Sequence, residues 1–131
     1  MPEAVADYLD RFVPLVVGVE EEGILSNSAG IDQDAADRLR EIYRQLHEMP
    51  VPTDAEEMHL AFIVYISVLE EKCLCHVFSE AHSADAQAEH FRECENRATT
   101  MATQILSNRL VPTRDAFLRS YSLTAKDVGF P

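Results

Sequence analysis

Four residues in the middle of the chain have the types and spacing to hold a metal ion. Cys73 and His76 stand three apart and His90 and Cys94 four apart, so on helices each pair shares one face. If two helices carry them and the chain turns near Ser83, Cys73 lies level with Cys94 and His76 with His90. The set then reads Cys-x2-His, thirteen residues, His-x3-Cys. Two thiolates and two imidazoles are a ligand set that zinc takes in tetrahedral structural sites. The same levelling makes a Cys73–Cys94 disulfide the oxidised alternative, which a reducing compartment disfavours.

A second arrangement would hold iron through imidazoles and carboxylates. His76-x3-Glu80 puts one of each a helical turn apart, and Glu56-x2-His59 has the Glu-x-x-His spacing of carboxylate-bridged di-iron bundles. No second Glu-x-x-His follows on another helix, so half the ligands would have to come from residues such as His47 and Glu20 or Glu21. Nucleophilic catalysis has less to work with. Cys75 adjoins His76, but neighbouring helical residues point about 100° apart and do not form a nucleophile–base pair. No Gly-rich phosphate loop or Ser elbow occurs, and Glu70 and Glu71 read as solvated charges.

The elements that must position these residues are helices. From Thr53 to Val111 the chain has neither Gly nor Pro, too long a run for one ordinary globular helix. Thr53-Asp54-Ala55-Glu56 has the form of a capping box, so the spacing predicts a third helix from about Asp54 to Ala81. Met58, Phe62, Tyr65, Leu69 and Cys73 make its core stripe, continued by His76 and Glu80. The polar and small run from Ser79 to Asp85 is the expected turn. A fourth helix from about Ala84 to Arg109 then offers Phe91, Cys94, Ala98, Met101 and Ile105 as the seam of an antiparallel partner.

Before this hairpin, Val5, Leu9, Phe12, Val16 and Val19 define a first helix, with Pro14 expected to kink or restart it. Glu20, Glu21 and Glu22 form an acidic end before Gly23, and the segment from Gly23 to Gly30 reads as a loop. Asp32 caps a second helix carrying Ala35, Leu39, Ile42 and Leu46, which Pro50 and Pro52 end. After the hairpin, Val111-Pro112 is expected to stop the fourth helix and Thr113 to start a short fifth one burying Ala116, Phe117 and Tyr121. Thr124-Ala125-Lys126-Asp127 is a second capping box, ahead of Phe130 as a plug.

The totals fit this reading. A chain of 131 residues, 47% hydrophobic and 26% charged, suits one domain spanning 1–131 with a core that needs no disulfide or metal. Its 23 acids against 11 Lys and Arg give a net charge of −12, which argues against nucleic acid and anionic membrane surfaces as partners. The apolar run from Phe12 to Val19 is broken by Pro14 and Gly18 and supports neither a signal peptide nor a membrane span. An odd number of Cys and no export signal point to the cytoplasm.

The expected fold is therefore all-α, a single-domain up-and-down bundle of four main helices plus a short C-terminal helix. Between Leu60 and Leu69 the third helix is apolar nearly all round, more than one bundle core consumes. With no complete catalytic set, the expected function is that of a small acidic cytoplasmic interaction or regulatory protein. It would act through an apolar helix face, as a homodimer or with a protein partner. The alternative is a metal-binding bundle, with zinc on Cys73, His76, His90 and Cys94 or an iron His/carboxylate site.

Overall fold

The computed structural model describes residues 1–26 and 31–131; residues 27–30 of the expected Gly23–Gly30 loop lie outside them. The helices are α1 (Glu3–Glu22), α2 (Gln33–Glu48), α3 (Glu56–Ala81), α4 (Gln87–Ile105) and α5 (Val111–Arg119), and the described residues form no strand. The bundle is all-α and up-and-down, with α3 packed against α2, α4 and α5. No helix among the described residues is long and apolar enough to cross a membrane.

α1 runs unbroken through Pro14, whose missing N–H lies on the exposed side, so the helix does not restart. It ends at Gly23, which takes the left-handed φ of +63° and donates its N–H to the Glu20 carbonyl, the conformation that glycine adopts at least cost. α2 begins as its sequence says, the Asp32 carboxylate accepting the Ala35 N–H at 2.9 Å. The start of α3 differs. Thr53–Ala55 is a short 3-10 turn, and neither Thr53 nor Glu56 caps the helix with its side chain. Asp54 instead accepts the Tyr121 hydroxyl at 2.7 Å, a long-range bond that holds the C-terminal segment to the start of α3. The second box does form, Thr124 N–H reaching Asp127 at 2.8 Å and Asp127 N–H reaching the Thr124 hydroxyl at 3.3 Å.

The helix expected to stop at Pro112 does not stop there. Leu106–Leu110 widens into a π turn in which the Val111 N–H bonds the Leu106 carbonyl, and α5 continues directly from it. A proline inside an α-helix loses one bond and presses its ring on the carbonyl four residues back. Widening the turn just before Pro112 relieves that clash, and the Thr113 hydroxyl bonds the Arg109 and Leu110 carbonyls at 2.7 and 3.0 Å. α4 and α5 are thus one long helix with a wide turn in it. On α5 the buried pair is Phe117 and Leu118, while Ala116 faces water.

The core is one cluster built on Phe12, Leu39, Leu46, Met58, Phe62, Ile66 and Leu69, with every residue of the expected stripe from Met58 to Cys73 buried. The seam of α4 is rotated by about one residue from expectation. Ala88, Glu95, Ala98 and Ala102 point inward, whereas Cys94 is half-buried and Met101 lies open. Alanines let α4 approach α3 closely, and the larger apolar side chains are left to fill its flank.

Candidate functional site

The α3–α4 hairpin carries most of the residues that could do chemistry. The chain turns over His82–Ala86, and the rings of Phe78 and Phe91 meet across it at 5.4 Å. That register and the rotated seam decide which side chains face one another. Cys75, not Cys73, lies against Cys94. His76 faces Glu95 rather than His90, its Nδ1 donating to the carboxylate at 3.0 Å, with Glu80 one turn along at 3.8 Å. His90 stays on its own helix, 3.8 Å from the Cys94 sulfur. Cys73 is buried in the core, where desolvation pushes its thiol up to about 12.

The structure therefore does not gather Cys73, His76, His90 and Cys94 around one point. Among the described residues no three His, Cys, Asp or Glu side chains converge to hold a metal ion. A zinc site needs all four donors on one centre, but Cys73 is turned into the core near the ends of α1 and α2, and the rotation of α4 sets Cys94 against Cys75. The iron arrangement is dispersed as well. His59 is spent in the core, Glu56 is exposed, and the His47 ring lies tilted against Tyr43 at 4.5 Å on the surface of α2. Cys73 and Cys94 are both free thiols, and it is Cys75 that stands opposite Cys94.

At the flank of the hairpin, Arg97 donates to the Cys94 sulfur at 3.1 Å. Burial pushes the neighbouring Cys75 thiol up to about 11, with Cys94 and Glu71 adding to the effect. A thiol so held stays protonated at neutral pH, so Cys75 is a poor nucleophile.

Besides Glu95, two buried polar side chains have roles that the sequence reading did not assign. His59 in α3 sits between Tyr8 of α1 and the end of α2, with Nδ1 2.9 Å from the Tyr8 hydroxyl and Nε2 2.8 Å from the Leu46 carbonyl. A carbonyl only accepts, so Nε2 carries the proton and Nδ1 receives the Tyr8 hydroxyl. Desolvation lowers the pKa of His59 and raises that of Tyr8, which keeps both neutral. Lys72 is buried and donates to the Ile24 and Leu25 carbonyls at 2.7 and 3.2 Å, tying α3 to the turn after α1; desolvation lowers its pKa. The sequence clue to Lys72 was a lone cation among buried positions. For Glu95 it was the seven-residue spacing to Ala88 and Ala102 on the inner face.

The remaining distinctive feature is apolar. Besides Met1, the large hydrophobic side chains most open to water are Leu60 at 51%, Met101 at 51% and Phe78 at 45%, all on the hairpin. Leu60 and Phe78 are eighteen residues apart, five full turns, and so share a line along α3 with Val64, Ser67 and Glu71. Met101 is two turns from Cys94, on the flank of α4 that meets Cys75. This outer face is opposite the stripe that packs on α1, α2 and α5.

Fold and site define an all-α bundle with an apolar outer hairpin face. No protein-family model matches the chain, and neither a curated protein nor a solved structure is detectably similar to it.

Proposed function

We propose that this chain is a small acidic interaction protein whose outer α3–α4 face pairs with the same face of a second copy. The observation that carries this reading is the line of Leu60, Phe78 and Met101 left open to water on one side of the hairpin. Isolated surface hydrophobics are ordinary; a set aligned on one face marks an interaction surface.

Charge and geometry favour a second copy as the occupant. Most of a chain at −12 repels its own kind, but this face carries both a carboxylate, Glu71, and a guanidinium, Arg97. Cys75 meets Cys94 across the hairpin, so four residues back on α3 and three onward on α4 bring Glu71 level with Arg97. A two-fold axis running along the hairpin between α3 and α4 sets Glu71 over Arg97 of the second copy and lays the Leu60–Phe78 line of each copy against the α4 flank of the other. The face is about 27 Å long and about 20 Å wide, so two copies bury on the order of 1,000 Å², the lower bound for a specific interface. The dimer is accordingly weak and reversible, as suits a regulatory contact. The three free thiols support a reducing, cytoplasmic location.

Sedimentation velocity over a concentration series tests this. The wild-type mass should double between low micromolar and several hundred micromolar, while Leu60→Ser/Phe78→Ser/Met101→Ser stays monomeric with an unchanged helical circular dichroism spectrum. A wild type that remains monomeric throughout would overturn the reading.

A further inference from the structure

On the opposite side of α3, between α1 and the π turn, lies a cleft of about 260 Å³ that the bundle leaves unfilled. Its walls are aromatic and aliphatic, Phe12, Phe62, Tyr65 and Phe130 among them, and it is just smaller than the ~300–1,000 Å³ usual for small-molecule pockets. Among the described residues three polar side chains reach it: Tyr65, Glu20 and Arg114.

These three differ in what they have left to offer. Arg114 is already engaged, ion-paired to Asp115 at 3.0 Å and lying over the Phe130 ring at 5.6 Å. Tyr65 is largely buried, but its hydroxyl bonds no described residue and keeps access to solvent, so a ligand can take the place of water there. Glu20, at the rim, has no cation paired with it among the described residues. It sits in the last turn of α1, which has no basic residue and carries Glu21 and Glu22 beside it at the negative end of the helix dipole.

We propose that this cleft is a binding site for a small hydrophobic amine. The apolar body fills the space between Phe12, Phe62 and Phe130, while the ammonium group meets the Glu20 carboxylate and the Tyr65 hydroxyl at the α1 end. An ammonium has only donors to give, and both a carboxylate and a phenol oxygen accept them. Aromatic walls favour the same charge through their ring faces. A carboxylate ligand would meet the Glu20 charge, and the cleft's one cation among the described residues, Arg114, is already paired. The π turn belongs to this wall, since Leu106, Leu110 and Val111 line it, and such turns recur at functional sites.

A matched series on one skeleton isolates the head group: 4-phenylbutylamine, 4-phenylbutan-1-ol and 4-phenylbutyrate, titrated at neutral pH by calorimetry at a protein concentration where the chain is monomeric. The amine should bind one to one and saturably, with the butyrate at least tenfold weaker. Glu20→Gln, an exposed position whose change spares the core, should bring the amine down to the affinity of the alcohol and leave the alcohol unchanged. Tyr65→Phe should weaken the amine several-fold. The proposal is overturned if the butyrate binds as tightly as the amine, if none of the three saturates, or if Glu20→Gln leaves amine affinity as it was. None of these outcomes bears on the dimer, whose face lies on the other side of α3.

Discussion

The two sides of α3 are made from similar residues and meet opposite fates. Inward, Met58, Phe62, Tyr65, Ile66, Leu69 and Cys73 are covered by α1, α2 and α5, and the imidazole set among them has both nitrogens bonded. Outward, Leu60, Val64 and Phe78 are flanked by α4 but stay partly open to water, no described residue closing over them. Hydrophobicity alone does not distinguish the sides; what does is whether the chain supplies a cover. The difference separates residues that hold the fold from residues free to hold something else.

The contrast is broken or sharpened by substitutions on each side. The largest effect belongs to the inner aromatic core. Phe62→Ala removes a fully buried ring that meets Phe12 edge-on at 5.2 Å, and should cost about 3–5 kcal/mol in urea unfolding. His59→Gln should cost about 1–3 kcal/mol, because the Tyr8 hydroxyl and the Leu46 carbonyl cannot both be satisfied without the ring.

That second penalty carries a pH signature. The folded pKa of His59 lies below its ordinary 6.5, so as pH falls through that value the unfolded chain takes up the proton first. The stability from His59 is complete above about pH 6.5 and is lost on acidification. The gap between wild type and His59→Gln should therefore narrow from pH 7.5 to pH 5 in paired urea titrations. A gap that widens would show that the ring is held charged.

Between the faces, the Arg40–Glu70 pair at 2.8 Å joins α2 to the edge of α3, its guanidinium open to water and its carboxylate mostly covered. Arg40→Ala should cost at most about 1 kcal/mol, and less at high salt. Smallest of all, Leu60→Ala, at a half-exposed position of the outer face, should leave monomer stability within about 0.5 kcal/mol when unfolding is followed in dilute solution. A loss comparable to that at Phe62 would mean that the outer face is part of the core.

Much of this was legible in the sequence because period and punctuation carry it. The hairpin, the α3 stripe, the Asp32 cap and the Thr124 box all follow from residues acting on near neighbours. What was not legible depends on how helices meet. The rotation of α4 that exchanges Cys94 for Glu95 in the seam is set by the close fit of Ala88, Ala98 and Ala102, and spacing within α4 alone allows either face. Pro112 reads as a stop because its local effect is to break a helix, and only the surrounding packing makes a wide turn the better solution. Thr53 and Glu56 have the form of a box, but Asp54 is drawn to Tyr121, a partner sixty-seven residues away. The four proposed ligands were placed by a levelling that assumed the wrong face of α4, which is why they do not meet.

The central claim, that the uncovered side of α3 is a self-complementary surface, is tested most directly by exchanging its two charges. Glu71→Arg alone and Arg97→Glu alone should each sediment as a monomer at concentrations where the wild type dimerises, since each sets like charges against one another twice across the two-fold. An equimolar mixture of the two variants should recover the dimer, as each copy then meets its complement. Two variants that both dimerise like the wild type, or a mixture that stays monomeric, would contradict the account.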